Sequence, residues 1–216
     1  MRSRTYLHDL LASTLFTEDL DSDTDLWALG FTAIWVKGAG LDTLARAFSL
    51  DLTTRAPCHL SEILDHAIAD GSCWVAEVND WIGIVPAVAD DEVLRSVTEG
   101  GHQAIGFSMD INHNACFGYA RDGRIIVSFD PTSPEDRYGE NPYALDRLTD
   151  GLRFQIDTEA ENPDDLVEVE ESISSALALI GRVTETDMAA DWFQAWHSRI
   201  GRSQEPRVPG NRAEIP

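Results

Sequence analysis

Between Cys73 and Asp130 apolar and polar positions alternate in short runs separated by two-residue polar turns. Trp74, Ala76 and Val78 alternate with Val75 and Glu77; Asn79-Asp80 follows, and Trp81–Val85 resumes the apolar run. Both turn residues tolerate positive φ, so the pattern predicts a hairpin. Asp122-Gly123 predicts a second one between Cys116–Arg121 and Arg124–Asp130. Ile105, Phe107, Met109 and Ile111 occupy one face of a further strand, with Gly106, Ser108 and Asp110 on the other. Between the hairpins Asp90 is placed to N-cap a helix over Asp91–Glu99. Val93, Leu94 and Val97 form its inward stripe, and Gly100-Gly101 ends it.

Counting back from Asp122-Gly123 sets Cys116, Gly118 and Ala120 opposite Phe129, Val127 and Ile125. For the core faces to agree, Asn112-His113-Asn114-Ala115 must be the connecting loop, because a one-residue slip inverts every side chain. The opposite face then displays Ser108, Asp110, Phe117, Tyr119, Arg121, Arg124, Ser128 and Asp130. Polar groups interleaved with two aromatics suit recognition. The structural alternative is that Trp192, Phe193 and Trp196 of a C-terminal helix cover this face.

Upstream, Tyr6, Leu7, Leu10, Leu11 and Leu15 predict a helix over residues 5–16, followed by an acidic linker from Glu18 to Asp25. Leu29–Val36 reads as a strand, and Leu41–Phe48 and Leu60–Ile68 as helices. Downstream, an irregular loop runs from Asp130-Pro131 to Gly139. Asn141-Pro142 and Asn162-Pro163 each start a helix, and a last helix covers Asp187–Ile200. The expected fold is α+β: an antiparallel sheet of about six strands, two hairpins with an intervening helix, backed by helices, with a helical C-terminal third. One domain spans residues 1–200, with the sheet core in 28–130 and the C-terminal helices in 141–200. Residues 201–216, with three prolines, are the expected disordered tail.

At 216 residues and 43% hydrophobic content the chain is large enough to bury a core without disulfides or metal. Cys58, Cys73 and Cys116 lack CxxC spacing and read as reduced core thiols of a cytoplasmic protein. No apolar run approaches the ~20 residues of a membrane span, and Met1–Arg4 leads into no signal-peptide core. Sixteen basic against thirty-eight acidic residues give a charge of −22, with Lys37 the sole lysine. Such a field repels phosphate, so direct binding of nucleic acid or membrane is not expected; a protein partner with a basic surface is.

The acidic run Asp19-x-Asp21-x-Asp23-x-Asp25 lacks the glycine and glutamate of a calcium loop, since Thr24 and Gly30 occupy those positions. His59 and His66 have no third ligand at zinc spacing, and no hydrolase elbow, P-loop or dinucleotide fingerprint is present. No cofactor or metal is therefore expected. One site candidate combines His113 as acid or base with Asp130 and Arg137, between the 112–115 and 130–137 loops. An Arg137–Asp130 ion pair that fixes the loop explains the same residues without chemistry.

Gly30–Gly38, the hairpin Trp74–Val85, and Phe129-Asp130-Pro131 followed by Pro134, Arg137, Gly139, Pro142 and Leu145 resemble an uncharacterised bacterial family, mainly from high-GC Gram-positive bacteria. The resemblance covers about residues 28 to 182, and the run Phe-Asp-Pro-x-x-Pro-x-x-Arg-x-Gly-x-x-Pro is its most specific part. Val85–Ala89 stands where the family pattern carries an acidic residue and a Gly-Trp pair. The resemblance implies a compact domain and no particular activity. The leading expectation is a non-catalytic acidic protein, immunity- or regulator-like, that engages a protein partner. The alternatives are a small-ligand binder or enzyme using the two loops, and a nucleic-acid mimic that occupies a DNA-binding protein.

Overall fold

The computed structural model describes residues 31–60, 62–63, 71–110, 114–154, 167–186 and 195–203. Phe31–Lys37 (β1) leads through helix Leu41–Ala47 (α1) to Leu50–Cys58 (β2). The first hairpin, Cys73–Val78 (β3) and Trp81–Val85 (β4), is followed by helix Asp91–Thr98 (α2) and then Gln103–Met109 (β5). Ala115–Arg121 (β6), Arg124–Asp130 (β7) and Ser133–Tyr138 (β8) come next. After them are a 3₁₀ turn at Asp146–Leu148, helix Val169–Val183 (α3) and strand His197–Arg202 (β9). All nine strands form one antiparallel sheet in the order β2-β9-β3-β4-β1-β5-β6-β7-β8.

Both faces of this sheet are covered, which the near-continuous apolar run of β1 already requires. Phe31, Ala33 and Trp35 pack with Ile173, Ala176, Leu177 and Ile180 of α3, while Ile34 and Val36 pack with Leu44 of α1 and Leu94 of α2. The Asn79-Asp80 and Asp122-Gly123 hairpins form as expected, with positive φ at Asn79, Asp122 and Gly123. Asp90 caps α2, its carboxylate accepting from Val93 N at 2.9 Å.

The sheet of about six strands with a helical C-terminal third is corrected to nine strands and three short helices among the described residues. Three strands escaped the pattern. β2 is an exposed edge whose Thr53–Pro57 side chains carry no apolar alternation. β8, the opposite edge, reads Ser-Pro-Glu-Asp-Arg-Tyr, and charge with proline is how natural edges resist pairing. β9 lies between β2 and β3, inside the span expected as the last helix. Trp196 and Ile200 stand four apart and imitate a helical stripe, yet Ile200 is buried in the sheet and Trp196 is exposed. The strand continues to Arg202, past the start of the expected tail. The expected segments 5–16 and 18–25, most of the 60–68 helix, Trp192, Phe193 and residues 204–216 lie outside the described residues.

The expected register inverts β6. Met109 pairs with Ala115 and Phe107 with Phe117, so Ala115 belongs to the strand and not to the loop. Between β6 and β7 the pairing shifts at Ile126: Ala120 faces Ile125, but Tyr119 faces Val127 and Phe117 faces Phe129. Such a bulge changes parity by one residue. Phe117 is consequently fully buried among Phe107 and Phe129, and Tyr119 is half-buried beside it. Neither stands on an open face. The glycines take the other side, where Gly106 and Gly118 pair beneath Leu94 of α2.

Candidate functional site

The Ile126 bulge that inverts the register also shapes a cavity beside the family-like motif. Its carbonyl and that of Ile125 accept from Asn141 N at 2.9 Å and Glu140 N at 3.0 Å, pulling the chain after β8 back over the sheet. Gly139 makes this turn at φ +130, and a Cβ there would strike the Ile126 carbonyl. Beyond it Pro142, Leu145 and the 3₁₀ turn form a wall. Arg182 of α3 ties that wall down by donating to the carbonyls of Leu148 and Asp150 at 2.6 and 2.7 Å.

Between this wall, β7, β8 and α3 lies a cavity of about 550 Å³. Its floor is Val127 and Phe129 of β7; Leu145, Leu152, Phe154 and Leu179 supply further apolar surface. Pro134, Glu135 and Arg137 come from β8, with Asp146, Thr149 and Arg153 completing the polar lining. Arg137 donates Nη1 to Asp146 Oδ1 at 2.8 Å and lies 4.4 Å over the Tyr143 ring. Arg153 pairs with Glu171 at 3.2 Å, and its backbone N–H and carbonyl both bond the Ser175 hydroxyl. A site of this size with an apolar body and a few fixed polar groups has the dimensions of a small-molecule pocket.

Of the described residues expected at the site from sequence, Arg137 alone lines this cavity. Its partner is Asp146 and not Asp130, whose carboxylate instead accepts the Thr132 N–H and hydroxyl, each at 2.8 Å. Asp110 closes the β5–β6 loop through Asn114, accepting from its backbone N at 3.0 Å and its Nδ2 at 2.8 Å. His113 lies outside the described residues. Arg121 and Arg124 sit at the exposed tip of the second hairpin, Arg124 paired with Glu140 at 2.9 Å. Tyr119 donates to Gln103 Oε1 at 2.9 Å, and burial raises its pKa. Sequence reasoning missed Asp146, Thr149, Arg153 and Leu179. The motif run ending at Leu145 pointed at the right wall, but Arg153 and Leu179 arrive from elements that carry no such signal.

The three thiols are not activated. Burial pushes Cys58 up to about 11 and raises Cys73. Cys116 reaches the surface, but its sulfur lies 3.6 Å from the buried Ser128 hydroxyl, and burial of that sulfur raises its pKa as well. Among the described residues there is no cluster of three or more His, Cys, Asp or Glu able to hold a metal. No helix there is long and apolar enough to cross a membrane.

No curated protein and no solved structure shows significant similarity to the chain. A family model does match, and it covers residues 65–205, well over half of the chain. It starts later than the resemblance read from sequence, leaving out β1, and runs on through β9. The cavity and the whole Phe129–Leu145 motif lie inside it, and the chain belongs to this family of unknown function, DUF6461.

Proposed function

We propose that the chain is a small-ligand-binding domain whose site is the cavity between β7, β8 and α3. The observation that carries this reading is the coincidence of a cavity of about 550 Å³ with Phe129, Pro134, Arg137 and Pro142, from the most specific run of the family resemblance, and with Leu145 just beyond it. Its polar lining consists largely of arginine–carboxylate pairs on fixed backbone, an arrangement that orients a bound molecule. Mapping a fragment library by amide chemical shifts tests it. Binders should move the Val127, Leu145 and Thr149 signals, and Leu152→Trp, which fills the cavity, should abolish those shifts. Hits that ignore these amides, or that survive the tryptophan, sink the proposal.

A second reading rests on the charge of −22. In it, a cytoplasmic, non-catalytic protein of a high-GC Gram-positive bacterium engages a basic protein partner through its acidic surface. Capture of one saturable basic partner that is released by raised salt supports it, while a captured partner as acidic as this chain removes it.

A further inference from the structure

Resting on the ligand-binding reading, we infer that the cavity takes a carboxylate with an apolar body, its head group received by Arg137. The chain as a whole carries sixteen basic and thirty-eight acidic residues, yet the cavity lining holds two of each: Arg137 and Arg153 against Glu135 and Asp146. Counting Glu171, which pairs with Arg153, the acid excess here falls to a single charge, against twenty-two over the chain. Glu135 is exposed, so water screens its charge.

Arg137 is pre-arranged to receive an anion. Tyr143 beneath the guanidinium and Asp146 on Nη1 hold its plane. Among the described residues its hydrogen bonds involve Nη1 alone, which leaves the edge formed by Nε and Nη2. That edge is a planar two-donor fork matched to a carboxylate, and immobilising it in advance removes part of the entropic cost of binding. A cationic head group has the opposite problem. It would compete for Asp146 with a guanidinium that is already tethered and stacked. The rest of the ligand is apolar because the floor and far wall are Val127, Phe129, Leu152, Phe154 and Leu179.

Calorimetric titration of the full chain with phenylbutyrate, phenylbutanol and phenylbutylamine separates the possibilities, since the three share one apolar body and differ in head charge. Phenylbutyrate should bind best, by about tenfold over phenylbutanol, as a charge-assisted hydrogen bond supplies. Arg137→Gln should erase that preference while leaving phenylbutanol within about twofold of its original affinity. Asp146→Asn, whose amide oxygen can still accept from Nη1 while the competing negative charge is gone, should tighten phenylbutyrate binding, whereas a merely structural Arg137–Asp146 ion pair would make both variants weaker. Phenylbutanol or phenylbutylamine binding as well as phenylbutyrate overturns the carboxylate class and leaves the cavity a ligand site. So does a preference that survives Arg137→Gln, or weaker phenylbutyrate binding in Asp146→Asn. If none of the three binds, or if Leu152→Trp changes nothing, the ligand-binding reading itself fails.

Discussion

The sheet is packed in opposite ways on its two sides. Over β5 and β6, helix α2 and the residue before its cap lie so close that a Cβ on Gly118 would come within 2.6 Å of Leu94 Cδ1, and one on Gly106 within 2.8 Å of the Ala89 carbonyl. On the other side, at the β7–β8 end, a cavity of about 550 Å³ separates the sheet from the chain that covers it. Helix contact at the first place is obtained by deleting side chains. The void at the second persists because its wall is fastened elsewhere: to Ile125 and Ile126 by backbone hydrogen bonds, and to α3 by Arg182. A void with free walls would collapse toward the packing density of a protein interior. The cavity is thus a consequence of how its rim is tied.

The most damaging test of that contrast strikes the fastening. Gly139→Ala must accept φ +130 and place its methyl against the Ile126 carbonyl, a backbone atom that cannot step aside. The expected loss is about 3 kcal/mol in urea unfolding, with the wall displaced and cavity binding lost. Wild-type stability in this variant would mean that the turn is not what holds the wall.

On the tight side, Gly118→Ala should cost about 2 kcal/mol, the usual cost of inserting a methyl into a filled core. The clash has one named partner, so a double-mutant cycle decides its origin. Combined with Leu94→Ala, which opens space at that spot, the Gly118→Ala penalty should largely disappear. An additive result would place the strain in the β6 backbone instead.

These two glycines also mark what could be read from sequence. Local features were legible: the Asn79-Asp80 and Asp122-Gly123 turns and the Asp90 cap all follow from neighbouring residues. Register was not, because it depends on a bulge at Ile126, an ordinary β-branched residue inside an apolar run. One unseen extra residue moved Phe117 from an expected display face to the core and left Gly118 under α2. Edge strands were illegible for the opposite reason. β2 and β8 bury too little to alternate, so their polar residues and prolines read as loops. The candidate site inherits both errors: the motif marks Arg137, but nothing local marks its partner Asp146, which is brought near only by the turn at Gly139.

The two faces of the sheet each carry a buried thiol, which permits a finer comparison at high pH. Cys58 belongs to the α3 side and Cys73 to the α1–α2 side. Burial dominates both upward shifts, but Glu62 reinforces the Cys58 shift more than Arg199 opposes it, whereas Arg202 opposes that of Cys73. Below pH 9 the Cys58 thiol is protonated in the folded and unfolded chains alike and does not affect the balance. Between 9 and about 11 the unfolded chain ionises first, so the proton held by the folded state becomes a liability and stability falls as pH rises. The same sign holds for Cys73, with a smaller amplitude because of Arg202. Burial raises the pKa of Tyr119 too, so the measurable quantity is the slope of the urea midpoint against pH in Cys58→Ala and Cys73→Ala relative to wild type. Removing Cys58 should flatten that slope more than removing Cys73. The reverse order would mean that Arg202, and not Glu62, is the charge that fails to reach its thiol.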